Sequence, residues 1–158
     1  MRPAVVLALL ATLCLAPVAA AAAEPDPLIG RQLKSLDYQY EIDDDGDYQL
    51  VFELDDGRTQ LVFVRSTVES FGSVRVREIW SPGYESKGSD LPAAVANRLL
   101  ADSQDSKLGG WVKQDKYGVF VVKIPADADA ETLDDAMAAA FRTADQMEAE
   151  LTPGKDAF

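Results

Sequence analysis

The run Asp43-Asp44-Asp45-Gly46-Asp47 concentrates the oxygen ligands of this chain, and the chemistry it invites is calcium binding. Placing Gly46 at the glycine of an EF-hand loop puts Glu41, Asp43 and Asp45 at the first three ligand positions. Phe52 then falls at the twelfth, where a bidentate glutamate is required. The flanking residues alternate like strands rather than helices. A solvated hairpin turn is the better account of the run, and no metal site is assigned.

Other chemistries are limited by what is missing. The sequence contains no histidine and a single cysteine, Cys14. Ser-His-Asp triads, Cys-His pairs, redox CxxC motifs and ordinary zinc sites all need side chains of those two types. Carboxylate pairs for glycoside hydrolysis are available among the 27 acidic residues, but nothing selects two on facing elements with unlike environments. No catalytic residue and no cofactor is assigned. Arg65, Arg75 and Arg77 form the densest basic group, and on neighbouring strands they would make a patch for a carboxylate or an acidic peptide. The competing account, which we favour, is cross-strand pairing with Glu53 or Glu78. Trp80, Tyr84 and Trp111 stand at strand ends or in a loop, where aromatics serve as interface anchors; the alternative is that they cover the core.

The elements that must position these residues begin after a leader. Arg2, the apolar stretch Ala4 to Leu15 and the small residues Val18 to Ala23 have the order of a secretory signal, with cleavage expected after Ala23. The apolar stretch is short of the ~20 residues that span a bilayer. Leu13 before Cys14 argues against a lipoprotein acylation site, so Cys14 is expected to leave with the leader. Residues 24–158 then form one domain of 158 − 23 = 135 residues. Loss of Arg2 leaves 14 basic against 27 acidic residues, a net charge of −13. Such a body repels nucleic acid and anionic lipid, so neither is an expected partner. The expected location is the periplasm.

Asp26-Pro27 caps a predicted helix over Pro27 to Ser35. From Tyr38 the period changes to two, giving a hairpin of Tyr38 to Ile42 and Tyr48 to Leu54 around Asp45-Gly46. After a turn at Asp55-Asp56-Gly57-Arg58, Leu61 to Val64 is apolar on both faces and reads as a central strand. Val74, Val76 and Trp80 suggest another strand, with a bulge or an end near Arg77 because Glu78 and Ile79 fall out of phase. Ser81-Pro82-Gly83 opens a predicted loop to Ser89, and Ser89-Asp90 caps a helix ending near Ser103. A hairpin of Trp111 to Gln114 and Val119 to Ile124 follows. The last helix is capped by Asp129 and carries the stripe Leu133, Met137, Ala140, Phe141, Ala144, Met147 and Leu151.

The segment Leu36-Asp37-Tyr38-Gln39-Tyr40-Glu41-Ile42-Asp43-Asp44-Asp45-Gly46-Asp47-Tyr48 resembles the opening of YbjN-type domains. The resemblance continues through Val95-Ala96-Asn97-Arg98-Leu99-Leu100, the hairpin ending in Ile124-Pro125 and the closing helix from Glu131. It implies an α+β fold like that of type III secretion chaperones, a twisted antiparallel sheet packed against helices in the order α-β-β-β-(β)-α-β-β-α. It also implies a protein-binding or regulatory module, described as a sensory transduction regulator, that commonly pairs as a homodimer. Secretion chaperones act before export, whereas this chain carries its own leader, so only the fold and the habit of binding polypeptide carry over.

The expectation is therefore an exported, non-enzymatic α+β module that binds another protein, with a homodimer through a sheet edge or helix face as one form. A small-ligand or metal-ion binding protein of the envelope is the alternative, and a carboxylate-dependent hydrolase the third. A binding module should expose an apolar or aromatic strip, whereas a carrier or enzyme should enclose a cavity of roughly 300 Å³ or more with converging polar groups.

Overall fold

The computed structural model describes residues 24–54 and 57–158. The expected leader with its expected cleavage point and Cys14, and the first two residues of the turn at positions 55–58, lie outside the described residues. The elements run α1 (Pro27–Ser35), β1 (Glu41–Ile42), β2 (Tyr48–Glu53), β3 (Thr59–Phe71), β4 (Val74–Glu85), α2 (Ala93–Asp105), β5 (Gly110–Gln114), β6 (Tyr117–Pro125) and α3 (Ala130–Leu151). The class and order are those expected from the sequence: α+β, with an open antiparallel sheet of order β1-β2-β3-β4-β6-β5. β4 and β5 run parallel with β6 between them, so α2 is the crossover that carries the chain past the place β6 will take.

The helices form where local signals place them. The Asp26 carboxylate accepts the Leu28 amide at 2.9 Å, Pro27 follows at the first helical position, and α1 buries Ile29 and Leu33 completely. Asp129 caps α3 through the Thr132 amide at 2.9 Å. The predicted α3 stripe faces inward, with Phe141 and Leu151 half-buried at its margins. Leu99 of α2 joins the same core as α1, α3 and the inward residues of β2, β3, β4 and β6. All three helices therefore cover one face of the sheet. Where α3 crosses β4, a Cβ at Gly83 would stand 2.8 Å from the Ala144 carbonyl and 2.6 Å from the Trp111 ring, so only glycine permits that approach.

One irregularity organises the middle of the sheet. Between the pairs Val64–Ile79 and Val68–Arg77, β3 uses three residues where β4 uses one. The bulge expected near Arg77 thus lies on the opposite strand, and β4 runs straight through. A bulge frees backbone groups that must find partners. The Ser66 amide donates to Asp47 Oδ1 at 2.7 Å, and the Ser66 hydroxyl donates to the Gly46 carbonyl at 2.7 Å. The Arg65 carbonyl accepts from Arg77 Nη1 at 2.7 Å. Asp47 and Arg77 are in this way the backbone partners of the bulge.

Four expectations need correction. β4 does not end at Ser81-Pro82-Gly83 but continues to Glu85, because the Ser81 hydroxyl donates to the Leu61 carbonyl and Gln60 Nε2 donates to the Pro82 carbonyl, bonds that stand in for the ladder. α2 begins after Pro92 without a side-chain cap, since the Asp90 carboxylate bonds the adjacent Leu91 amide and Lys113 instead. β1 is only Glu41–Ile42: Asp37 takes a left-handed φ of 61°, and Tyr38 turns in to donate to Asp134 at 2.6 Å. The last hairpin turns on Asp115 and Lys116 alone, with Tyr117 and Gly118 already in β6.

Candidate functional site

Along β4 the residues Arg77, Ile79 and Ser81 point to the helices, so Glu78 and Trp80 must point the other way. Trp80 pairs with Phe63 on β3 and Val121 on β6, and the row extends to Gln49 on β2 and Gly110 on β5. The next row holds Val51 and Leu61, and beyond β4 it holds Pro82, Val119 and Val112. None of the described helices lies over these rows. Val119 and Val121 are nevertheless only 5% exposed, while Leu61, Phe63 and Trp80 are half-buried and Val51 and Val112 stand at the margins, 60% and 40% exposed. An apolar floor on an uncovered sheet face is what a binding surface requires.

A chain of polar contacts crosses the same face. Lys123 pairs with Glu78 at 2.8 Å, and the Trp80 indole N–H donates to Glu78 at 2.8 Å. The Arg65 guanidinium lies 4.5 Å from the centre of the Trp80 ring and ion-pairs with Asp47. Trp80 is thereby held from both its edge and its face. Burial would raise the Glu78 carboxyl, but Lys123 and the indole outweigh it and hold the group below its ordinary value. Beside this chain runs an open groove of about 480 Å³, floored by Leu61, Phe63, Trp80 and Val119. Asp43 and Asp45 stand on its rim, and Tyr117 and Phe158 approach edge-on at 6.4 Å along its lining.

The residues singled out by sequence divide sharply. Trp80 and Arg65 come together on the open face. Trp111 does not join them: it is 7% exposed and belongs to the core, with its indole N–H on Asp102 at 2.8 Å. Arg77 is 2% exposed, bonded to Asp26 at 2.5 Å, and so belongs to the fold rather than to a surface patch. Arg75 is exposed near the tip of the β3–β4 hairpin, and Tyr84 is half-buried beside a separate cleft with Leu91 and Leu151. The arginines' carboxylate partners also differ from those expected, being Asp47 and Asp26 in place of Glu53 and Glu78. Sequence reasoning missed Leu61, Phe63, Val119 and Phe158. The signal for the first two was present, because a strand apolar on both faces needs cover on both.

The acidic turn is engaged internally. Asp43 Oδ1 accepts the amides of Asp45 and Asp47 at 3.0 and 2.9 Å, and the Asp47 carboxylate is turned onto Ser66 and Arg65. Among the described residues no group of three or more acidic, histidine or cysteine side chains is placed to hold a metal ion. No described helix is long and apolar enough to cross a membrane.

Two buried carboxyls make stability depend on pH in an unusual direction. Burial raises Asp47 and Glu148 above their ordinary values of 3.8 and 4.5, against the pull of Ser66 and Arg65 on the first and of Ala157 and Arg58 on the second. A carboxyl raised by folding binds its proton more readily in the native state, so it adds stability as pH falls through its folded pKa. Relief of the net negative charge acts in the same sense. Asp26 behaves oppositely: burial raises it, but the Leu28 amide and Arg77 hold it below 3.8, and Glu78 is likewise lowered. Their contribution is lost once pH drops through those lowered values. Thermal melts followed by circular dichroism should show the midpoint rising from neutral pH to about 5 and collapsing below about 4. A profile that falls steadily from pH 8 to 5 would contradict the burial of both groups.

The chain matches no protein-family model and no curated protein at a significant level.

Proposed function

We propose that this protein is an exported, non-enzymatic module that holds another polypeptide on the open face of its sheet. The observation that carries the reading is the apolar row Phe63–Trp80–Val121, flanked by Leu61 and Val119, with none of the described helices above it. The polar groups nearby support binding over turnover, because they neutralise one another: Arg65 with Asp47, Lys116 with Glu85, and Lys123 with Glu78. Among the described residues, the carboxylates outside these pairs, Asp43 and Asp45, stand on the rim rather than converging with a partner of unlike environment. The absence of histidine, and of cysteine beyond the leader, points the same way. The resemblance to YbjN-type domains and secretion chaperones agrees with a polypeptide as the ligand, and the secretory pattern of residues 1–23 supports an encounter in the periplasm.

Trp80 is the expected anchor of the contact. Replacing it with alanine should weaken association by at least about 30-fold, or ~2 kcal/mol, the loss typical of a central aromatic. The test is affinity capture from envelope extract with the protein and with Trp80→Ala side by side, after circular dichroism has shown both to be folded. Partners retained by the protein and lost by the variant support the reading. An identical partner set for both would place the binding surface elsewhere.

A further inference from the structure

We propose that the groove on the open face takes an extended apolar segment carrying lysine or arginine. This rests on the reading of that face as a polypeptide-binding surface and adds the chemistry of the occupant. The argument is a charge balance. Arg65, the one cation among the described residues that line the groove, already has Asp47, and nearby Lys116 and Lys123 have Glu85 at 2.5 Å and Glu78. The anions are in surplus. None of the ion pairs among the described residues takes Asp43, Asp44 or Asp45, yet Asp43 and Asp45 line the groove and Asp44 is exposed in the same turn. An acidic segment would find no free cation among the described residues that line the groove, whereas a basic one finds carboxylates beside the apolar floor.

Shape sets the form of the occupant. The groove follows β3 from Arg65 to Leu61 and continues to Tyr117 and Phe158, room for about four or five residues of extended chain at ~3.3 Å each. In such a chain alternate side chains reach the floor, and those between them are free to turn toward the rim. A sequence with apolar residues at alternate positions and basic residues over the Asp43 to Asp45 turn satisfies both. A second copy of this protein fits less well, since it brings the same negative surplus.

The experiment uses three end-labelled peptides with the same alternating apolar residues and lysine, glutamine or glutamate between them, titrated into the protein by fluorescence anisotropy. The lysine peptide should bind at least about tenfold more tightly than the glutamate peptide at low salt, and the gap should close at high salt. The double variant Asp43→Asn/Asp45→Asn should erase the preference while remaining folded, because asparagine keeps the side-chain oxygen that accepts the turn amides. Trp80→Ala should weaken all three. Equal binding of the lysine and glutamate peptides, or tighter binding of the latter, would overturn the basic occupant and leave the apolar face standing. If no peptide binds while Trp80→Ala still loses partners in capture, the extended segment is wrong and the face is right. A concentration-dependent dimer in sedimentation that is abolished by Trp80→Ala would overturn the proposal in favour of a second copy.

Discussion

Alanine in place of Arg58 is expected to destabilise the protein by about 3–5 kcal/mol, the usual result of removing one partner from a buried ion pair. Arg58 donates to Asp145 at 2.6 Å, to Glu148 at 2.9 Å and to the Lys155 carbonyl at 2.7 Å. Glu148 is fully buried, and without the guanidinium its carboxylate keeps only the Ala157 amide. An interior charge in that position must either be tolerated at high cost or take a proton. The loss should therefore be largest at neutral pH and smaller at mildly acidic pH, as Glu148, raised by burial, takes up its proton. Urea titrations at the two pH values read this directly as a change of midpoint at constant slope. Pairing Arg58→Met with Glu148→Leu should restore most of the stability, because an apolar pair of similar volume avoids the desolvation of both charges. A loss below about 1 kcal/mol for Arg58→Ala, unchanged by pH, would mean that water reaches Glu148.

The same bonds bear on the open face. Arg58 and Glu148 hold the backbone of Lys155 and Ala157, and Asp156 accepts the Thr59 amide at 3.2 Å. These contacts carry the chain from the end of α3, on the helical side, around to the groove, where Phe158 meets Tyr117. Nothing local announces this route. In the sequence Arg58 is one more polar residue of a turn, and its partners lie 87 to 97 positions away.

What was legible in the sequence is what depends on near neighbours. The Asp26-Pro27 and Asp129 caps, the α3 stripe and the alternation of β2 all follow from spacings of two to four residues, and they were enough to give the order of elements. β4 resisted because its usual polarity is inverted. An arginine faces the core to serve the β3 bulge, and a tryptophan faces the side away from the described helices, so the apolar residues fall out of phase near Arg77. At Ser81-Pro82-Gly83 the strand bulges at Gly83 against β6 instead of ending, since Gln60 and Ser81 replace the ladder to β3 with side-chain bonds that no periodicity reveals. The candidate site was half visible. The residue types of Trp80 and Arg65 mark them in the sequence, but their meeting depends on register between β3 and β4, and register is a property of pairing rather than of either strand.

Trp111→Ala is expected to cost about 3–5 kcal/mol, the range for truncating a large aromatic in a core, and to leave the open face able to bind. In the sequence the two tryptophans look alike, each at the end of an alternating run; the fold sends them to opposite sides of the sheet. Trp111 lies edge-on to Phe120 at 5.3 Å, its ring closes over Gly83, and its indole N–H reaches Asp102 on α2. β5 is an edge strand paired on one side only, so this side chain and the bond from the Trp111 amide to Ser103 at 2.8 Å are what tie it to α2. Truncation should therefore show first in hydrogen exchange, as faster exchange in Gly110–Gln114 and in Ala93–Asp105 than in β3. Trp111→Phe, which keeps much of the volume and loses the indole donor, should lose clearly less stability than alanine. The contrast with Trp80 is the discriminating result: Trp80→Ala should impair binding in a protein that stays folded, whereas Trp111→Ala should lower the unfolding midpoint while the folded fraction binds as before. Should the two variants exchange these phenotypes, the open side of the sheet is not the binding face.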